Sequence, residues 1–573
     1  MFFIRTLICV LSVWIILPLS GAPNPALPIP PAQSEGPRAV PTFACVGLYW
    51  APPAGSEENK CQVSYRAADG DEWREALPLW FDARNDEYRG SIVGLQPATT
   101  YEIKLSLEKS GTTTVITSTT WSEEFPVART VHLPPGVSNH PLEITEGGTP
   151  HGYVLYTSDP KSHSEIDAAD ASPTCITVRA PYIIIRGLTL RGASEHGIKI
   201  AGPLHDVVIE DCDISGWGRI ASDGFGKNLD AGISGIDPGL SRIIIQRNKI
   251  HHPRGNANDW LQDRPATGEK SSSHPNGPQA VVFLNCTGNN VIRYNEVSSD
   301  ENHRFNDGMG GGENFSFRGF PGADSDIYGN ILRNTIDDAL EIEGGGCNVR
   351  VWENLMENTF TGVATASCSI GPLYIFRNVL GRTRSNSGAP DAPENTGIFG
   401  KLGDSRGYGG GRIYYFHNTI LQPPGTTPGM RPLGAGWALA DWGGRMTNIV
   451  SRNNIWTITP NLQQVYLHFH GDYRTNPYSI VDQGRSLTND LDYDLLNAEP
   501  LASPQAEPHA IRGVPIFMGT ESPASYTLTP DSPGCDAGQR LPNFNDDFAG
   551  KGPDIGAAEA GGKPLRFGIP TAP

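Results

Sequence analysis

The chain has 573 residues, 18% of them charged and 38% hydrophobic, which excludes a disordered polymer and leaves room for more than one domain. Its formal net charge of −18, with no dense Lys/Arg cluster, excludes nucleic acid as the expected partner. Its 66 glycines and 48 prolines point to many short elements joined by tight turns.

The chain opens with Arg5, an apolar run over residues 6–17 and the small residues Ser20-Gly21-Ala22. That order predicts a signal peptide over residues 1–22, hence a secreted, periplasmic or cell-surface protein with no membrane span once the signal is removed. Cys9 leaves with the signal, and the remaining eight cysteines form an even set for an oxidising compartment. Cys45 and Cys61 are placed to staple one small domain, and Cys347 and Cys368 to pair or simply to stack, with the connectivity left open. Residues 23–41 read as a proline-rich linker.

Residues 42–126 show short strand patterns separated by turn signals such as Ala68-Asp69-Gly70, with Trp50 as a core aromatic. The stretch Gly94-Leu95-Gln96-Pro97-Ala98-Thr99-Thr100-Tyr101, followed by the alternating run to Leu105, resembles the fibronectin type III pattern. The resemblance implies a small β-sandwich acting as an accessory module.

From residue 127 to 456 a repeat takes over. Its units include Arg247-Asn248-Lys249-Ile250, Tyr294-Asn295-Glu296-Val297, Gly329-Asn330-Ile331-Leu332, Glu353-Asn354-Leu355-Met356, Arg377-Asn378-Val379-Leu380 and His417-Asn418-Thr419-Ile420. A single coil of short strands cannot bury its apolar face alone, whereas stacked coils share one core and pair their backbones. An asparagine repeated at one turn tolerates left-handed dihedrals and stacks its amides into a ladder. The repeat resembles that of the right-handed parallel β-helix proteins of the pectate-lyase-like superfamily. The expected fold is therefore all-β, a right-handed parallel β-helix solenoid preceded by a small fibronectin type III-like β-sandwich. Residues 457–573 are expected to supply the last coils and a cap.

A second strand follows each asparagine unit, and period-two alternation sets its outward positions. The reading gives Gly308, Gly310 and Gly312 on one coil, then Ala339, Glu341 and Glu343, then Gly362, Ala364 and Ala366, then Gly397, Phe399 and Lys401. Glu341 and Glu343 thus stand on a floor of small residues against which a polymer fits. Inserts over residues 217–230, 253–278 and 383–395 are expected to wall a groove. Residues i and i+2 of a strand lie about 6.5–7 Å apart, near the lower end of the roughly 6.5–9.5 Å carboxyl separation of inverting glycosidases.

The expected function is a secreted enzyme that cleaves the glycosidic bonds of a polysaccharide, acting as a monomer. Hydrolysis through Glu341 and Glu343 comes first, with Asp338, Asp307 and Lys401 as further catalytic candidates. Phe399, Arg318, His303 and Trp437 are the expected substrate-binding residues. The alternative is a calcium-assisted lyase, with Ca2+ near Asp337, Asp338 and Glu341 and with Lys401, Arg318 or His303 as base. The rival from another class is a non-enzymatic glycan-binding surface protein. His468, His470 and Asp472, the pair His251-His252, and Trp442 are weaker candidates. The paired motif set of polygalacturonases and the arginine-proline signature of pectate lyases are absent. The resemblance therefore implies a fold and leaves the reaction to the residues.

Overall fold

A computed structural model describes residues 30–32, 36–260, 274–384, 397–421, 435–441, 444–458, 463–464, 474–475, 477–519 and 526–570. Among these residues there is no α-helix, hence no helix long and apolar enough to cross a membrane. The signal-peptide reading of residues 1–22 lies outside them.

The N-terminal unit is an antiparallel β-sandwich of seven strands. They are β1 (Arg38–Pro41), β2 (Val46–Trp50), β3 (Cys61–Ala67), β4 (Arg74–Asp82), β5 (Glu87–Ile92), β6 (Thr100–Leu107) and β7 (Thr113–Thr119), hydrogen-bonded in the order β1-β2-β5-β4-β3-β6-β7. The end of the expected linker is thus a strand, β1, paired with β2. Alternation in β6 sends Tyr101, Ile103, Leu105 and Leu107 inward, onto a core shared with Trp50, Val63 and Tyr88.

The body is a parallel β-helix. Two sheets of 12 strands and one of 13 run the length of the solenoid, and each strand pairs in parallel with its counterpart one coil away. The site-bearing sheet runs from Leu142–Ile144 to Glu499–Leu501, the sandwich-facing sheet from Val127–Leu133 to Asp490–Leu491, and the third from Gly136–Ser138 to Ile511–Arg512. Along the site-bearing sheet one inward column reads Ile198, Ile233, Val281, Met309, Leu340, Val363, Gly400, Leu439, Ile480 in unbroken register. The repeat therefore buries one continuous core.

The asparagines form the expected ladder. Asn248, Asn295, Asn330, Asn354, Asn378, Asn418 and Asn454 are all fully buried. Each Nδ2 and each backbone N–H donates to the side-chain oxygen of the next member, as Asn330 does to Asn354 Oδ1 at 2.9 and 3.1 Å. The ladder ends on Asp494, whose Oδ1 accepts from Asn454 N and Nδ2 at 2.7 and 2.9 Å. The left-handed backbone falls one residue earlier than expected, on Arg247, Tyr294, Glu353, Arg377 and His417, with φ between 50° and 56°. The asparagine contributes its amide, not its tolerance of positive φ.

The sandwich lies against the solenoid through buried polar contacts. Tyr49 OH donates to Asp324 Oδ1 at 2.9 Å, Thr42 Oγ1 to Asp326 Oδ2 at 2.5 Å, and Ser91 N to Tyr374 OH at 3.1 Å. Asp326 is paired with the fully buried Arg350 at 2.7 Å. Cys45 and Cys61 do not staple the sandwich, and Cys347 and Cys368 do not pair: the eight described cysteines are free thiols, and Cys347 packs its Sγ 3.6 Å from Tyr49 OH.

Candidate functional site: a carboxylate cluster on the solenoid wall

The reactive side chains span four consecutive coils of the site-bearing sheet. The strand Asp338–Glu341 pairs Asp338 with Thr361, Leu340 with Val363 and Glu341 with Ala364, and the next coil continues to Ile398, Gly400 and Lys401. Asp307 precedes Met309, the partner of Leu340, and so sits one coil from Asp338. Simple alternation fails here. Asp338 and Glu341 both leave the core although three positions apart, because Ala339 and Leu340 both enter it. The same step recurs in the next strands, so Ile398 and Lys401 point out while Phe399 points in.

Asp307, Asp337 and Asp338 each offer a carboxylate oxygen within 4.8 Å of the others. Asp307 Oδ2 accepts from Gln279 Nε2 at 2.8 Å and Asn306 Nδ2 at 2.7 Å, and its Oδ1 accepts from Asp338 N at 3.2 Å. Lys401 Nζ pairs with Asp338 Oδ2 at 2.7 Å and Glu343 Oε1 at 3.3 Å. Glu341 Oε2 accepts from Gly312 N at 3.0 Å and Oε1 from Asn314 Nδ2 at 3.2 Å, and the same Nδ2 also donates to Glu343 Oε2. Glu343 further accepts from Ala366 N at 3.2 Å. Gly310 makes room for Glu341, since a Cβ there would stand 2.7 Å from its Oε2. Asp337 Oδ1, Asp338 Oδ1, Gln279 Oε1 and Asn306 Oδ1 are buried without a hydrogen-bond donor.

The charges explain each shifted acid. Burial, then the carboxylates of Glu341 and Asp338, push Asp307 far above the usual range. Burial and then Asp338 do the same to Asp337, and raise Glu341. Burial pushes Glu343 up to about 8 against the pull of Lys401. For Lys401, burial alone would favour the neutral amine, and the carboxylates of Asp338 and Glu343 more than reverse it. The cluster holds more carboxyl groups than one ammonium can pair, and some of their buried oxygens lack donors. Clustered, under-coordinated oxygens in this number are what a hard divalent cation takes as ligands.

A cavity of about 550 Å³ opens onto the cluster. Asp307, Asp337, Glu341 and Lys401 stand in its lining. Two of the three expected walls contribute: Asn228 and Leu229 from the first insert, and His274, Pro275 and Asn276 from the second. Residues 385–395 of the third insert lie outside the described residues. The remaining wall is the segment from Gly312 to Ser316, faced by Arg406. His274 Nε2 lies 3.5 Å from Asp337 Oδ2. Gln279, Asn306, Asn314, His274 and Arg406 escaped the sequence reading. Gln279 alone carried a signal, as the outward residue one coil before Asp307.

Several expected residues sit elsewhere. Glu341 and Glu343 do not face open solvent; they are 8% and 2% exposed. Lys401 lies on the buried floor. Phe399 is a core residue packed on Trp456 at 5.0 Å, because the strand's irregular step turns it inward. Trp437 is buried with Ile398, Ala440 and Val481, so it presents no free face for stacking a sugar. Arg318 is exposed away from the cavity and donates to Asn285 Oδ1. His303 is tied to Pro253 O at 2.8 Å and neighbours His252, also away from the cavity. His468, His470, Asp472 and Trp442 lie outside the described residues. No protein-family model matches the chain, and no curated protein matches it in sequence.

Proposed function

We propose that this protein cleaves a uronate-containing polysaccharide by calcium-assisted β-elimination. The observation that carries the reading is the trio Asp307, Asp337 and Asp338, with carboxylate oxygens within 4.8 Å of one another and donor-free oxygens buried beside Lys401. These aspartates, with Glu341 beside them, would hold a calcium ion, which supplies charge neutralisation to the sugar carboxylate. Of the three bases considered, only Lys401 lines the cavity. In its neutral form Nζ accepts the proton at C5. The electron pair forms the C4–C5 double bond, the C4–O4 bond breaks, and the leaving oxygen takes up a proton. A cation held by these aspartates would take over as counter-charge to Asp338 and so weaken the field that keeps Lys401 protonated.

Hydrolysis through Glu341 and Glu343 has less support. Both carboxylates reach one amide nitrogen, Asn314 Nδ2, which leaves no space for the water that an inverting pair holds between them. Glu343, saturated by Asn314, Ala366 and Lys401, is poorly placed as a nucleophile.

The sandwich is read as fibronectin type III-like. Its strand order and the bond from Gln96 N to Tyr101 OH at 2.9 Å, a corner tyrosine, support this. The setting proposed is secretion or the periplasm, with the chain as a monomer.

The deciding experiment incubates the purified protein with a panel of acidic polysaccharides, with and without EDTA. Calcium-dependent absorbance of an unsaturated uronate is the expected result. New reducing ends without that absorbance would select hydrolysis, and neither product would select a binding protein.

A further inference from the structure

We propose that Arg406, held on Phe315, is an anion subsite of the cavity that grips the acidic group of a second sugar unit, away from the carboxylate cluster. The inference deepens the proposed function, because it extends the substrate from one acidic sugar at the cut to acidic sugars on neighbouring units.

Four observations converge on Arg406. Its guanidinium lies 4.3 Å over the ring of Phe315, and both residues line the cavity. It makes no ion pair or hydrogen bond among the described residues, although acidic side chains share the cavity with it. A guanidinium fixed by an aromatic face keeps all its donors free and loses little rotamer freedom when an oxyanion arrives.

The backbone shows that this placement is held against a cost. Ser405 N donates to Tyr408 O at 3.0 Å and Tyr408 N to Ser405 O at 2.9 Å, closing a two-residue hairpin. The two central residues, Arg406 and Gly407, have φ of 54° and 82°, as in a type I′ turn. That turn favours Asn, Asp or Gly at its first central position, and an arginine there is strained.

The hairpin is also anchored from outside. Tyr408 packs its ring on Phe317 at 5.2 Å, and Arg84 of the sandwich donates to Gly409 O at 2.6 Å. The strained arginine is thus presented by a braced loop to the face of the wall that carries Asn314 and Phe315. A carboxylate or sulfate, each with two coplanar or near-coplanar oxygens, matches its fork of donors. In a cavity whose floor is acidic, such a cation also gives a polyanionic chain an attractive contact at entry.

The test uses the full chain in EDTA, so that neither metal nor turnover contributes. Affinity is measured by titration calorimetry for acidic oligosaccharides of four to six units (galacturonate, mannuronate, hyaluronan and heparan fragments) and for a neutral xylan fragment of equal length. Arg406→Asn keeps a residue suited to the turn, so the fold is retained, and Arg406→Lys keeps the charge without the fork. The expected result is that the parent prefers at least one acidic fragment over the neutral one. Arg406→Asn should weaken that fragment at least tenfold, Arg406→Lys should fall between, and the neutral fragment should be unaffected. Equal affinity of parent and Arg406→Asn, or no acidic fragment bound better than the neutral one, overturns the subsite. The elimination reading fails separately: if no unsaturated product forms while the arginine effect persists, the subsite stands and the reaction is wrong.

Discussion

Lys401 Nζ lies 2.7 Å from Asp338 Oδ2, a contact between residues 63 positions apart that stand two coils apart on one wall of the solenoid. The pair is nearly buried, so its two members cannot be separated without cost. Replacing Lys401 by Ala leaves buried carboxylates without their cation, a loss on the order of 3 kcal/mol. We predict that Lys401→Ala lowers the melting temperature in EDTA, that calcium restores much of it, and that elimination falls by at least a factor of ~10² even with calcium present. Thermal melts and product absorbance on one preparation check both halves.

Asp338→Asn removes one charge from the trio and keeps its volume. The variant should fold, require more calcium for half-maximal turnover, and recover partly when calcium is raised. A turnover that no calcium concentration improves would instead assign Asp338 to the chemical step.

The pH dependence follows from Glu343, raised to about 8 from an ordinary value of 4.5. A carboxyl raised by folding holds its proton more tightly folded than unfolded. Its contribution to stability is therefore present at low pH and is lost as the pH climbs from about 4.5 to about 8. In EDTA, stability should decline across that window. Calcium competes with protons for the cluster, so the gain in melting temperature on adding it should grow from about pH 5 to about pH 8. Melts at several pH values, with and without calcium, show whether the two trends run in opposite directions.

Arg84 ties the sandwich to two loops of the site. Its guanidinium donates to Ser369 O at 3.0 Å, Ile370 O at 2.9 Å and Gly409 O at 2.6 Å, and is itself held by Asp82 at 2.7 Å. Ser367, three residues before Ile370, donates its Oγ to Asn314 O at 3.1 Å, which connects this anchor to the wall beside Glu341 and Glu343. Arg84→Ala should cost about 2 kcal/mol of stability and raise KM several-fold with a smaller effect on kcat. Removing the whole sandwich should yield insoluble protein, because Asp324, Asp326 and Arg350 would lose their cover.

Much of the scaffold was legible because its signal is periodic. Asn330, Asn354 and Asn378 recur every 24 residues, and each takes the same place in its coil. Glu341 and Glu343 were legible as outward residues on a small-residue wall, whereas period two puts Asp338 in phase with the inward Leu340. Phe399 was misread because period two assumes a uniform strand, and these strands send two successive residues inward. His274 and Arg406 reach the site from loops whose course no local pattern fixes. The docking of the sandwich was hidden for another reason: Thr42, Tyr49 and Ser91 are ordinary strand residues, and only their partners across nearly three hundred positions make them an interface.

The amide ladder has a direction and a stop. Every asparagine in it gives its backbone N–H and an Nδ2 hydrogen to the next rung toward the C-terminal end, while Nδ2 also donates back to a carbonyl of the preceding coil, as Asn330 does to Ile292 O at 3.0 Å, so any member could be followed by another. When ionised, the Asp494 side chain has no hydrogen to give and only receives, from Asn454 and from Ser451 Oγ, while its backbone N–H donates to Glu507 Oε2 at 3.4 Å. One oxygen in place of one NH2 therefore ends the relay and marks the last rung. An extra coil spliced between Asn354 and Asn378 meets compatible neighbours on both sides, whereas one added after Asp494 would receive no side-chain hydrogen from it. The length of the amide ladder is thus written partly as a single atom.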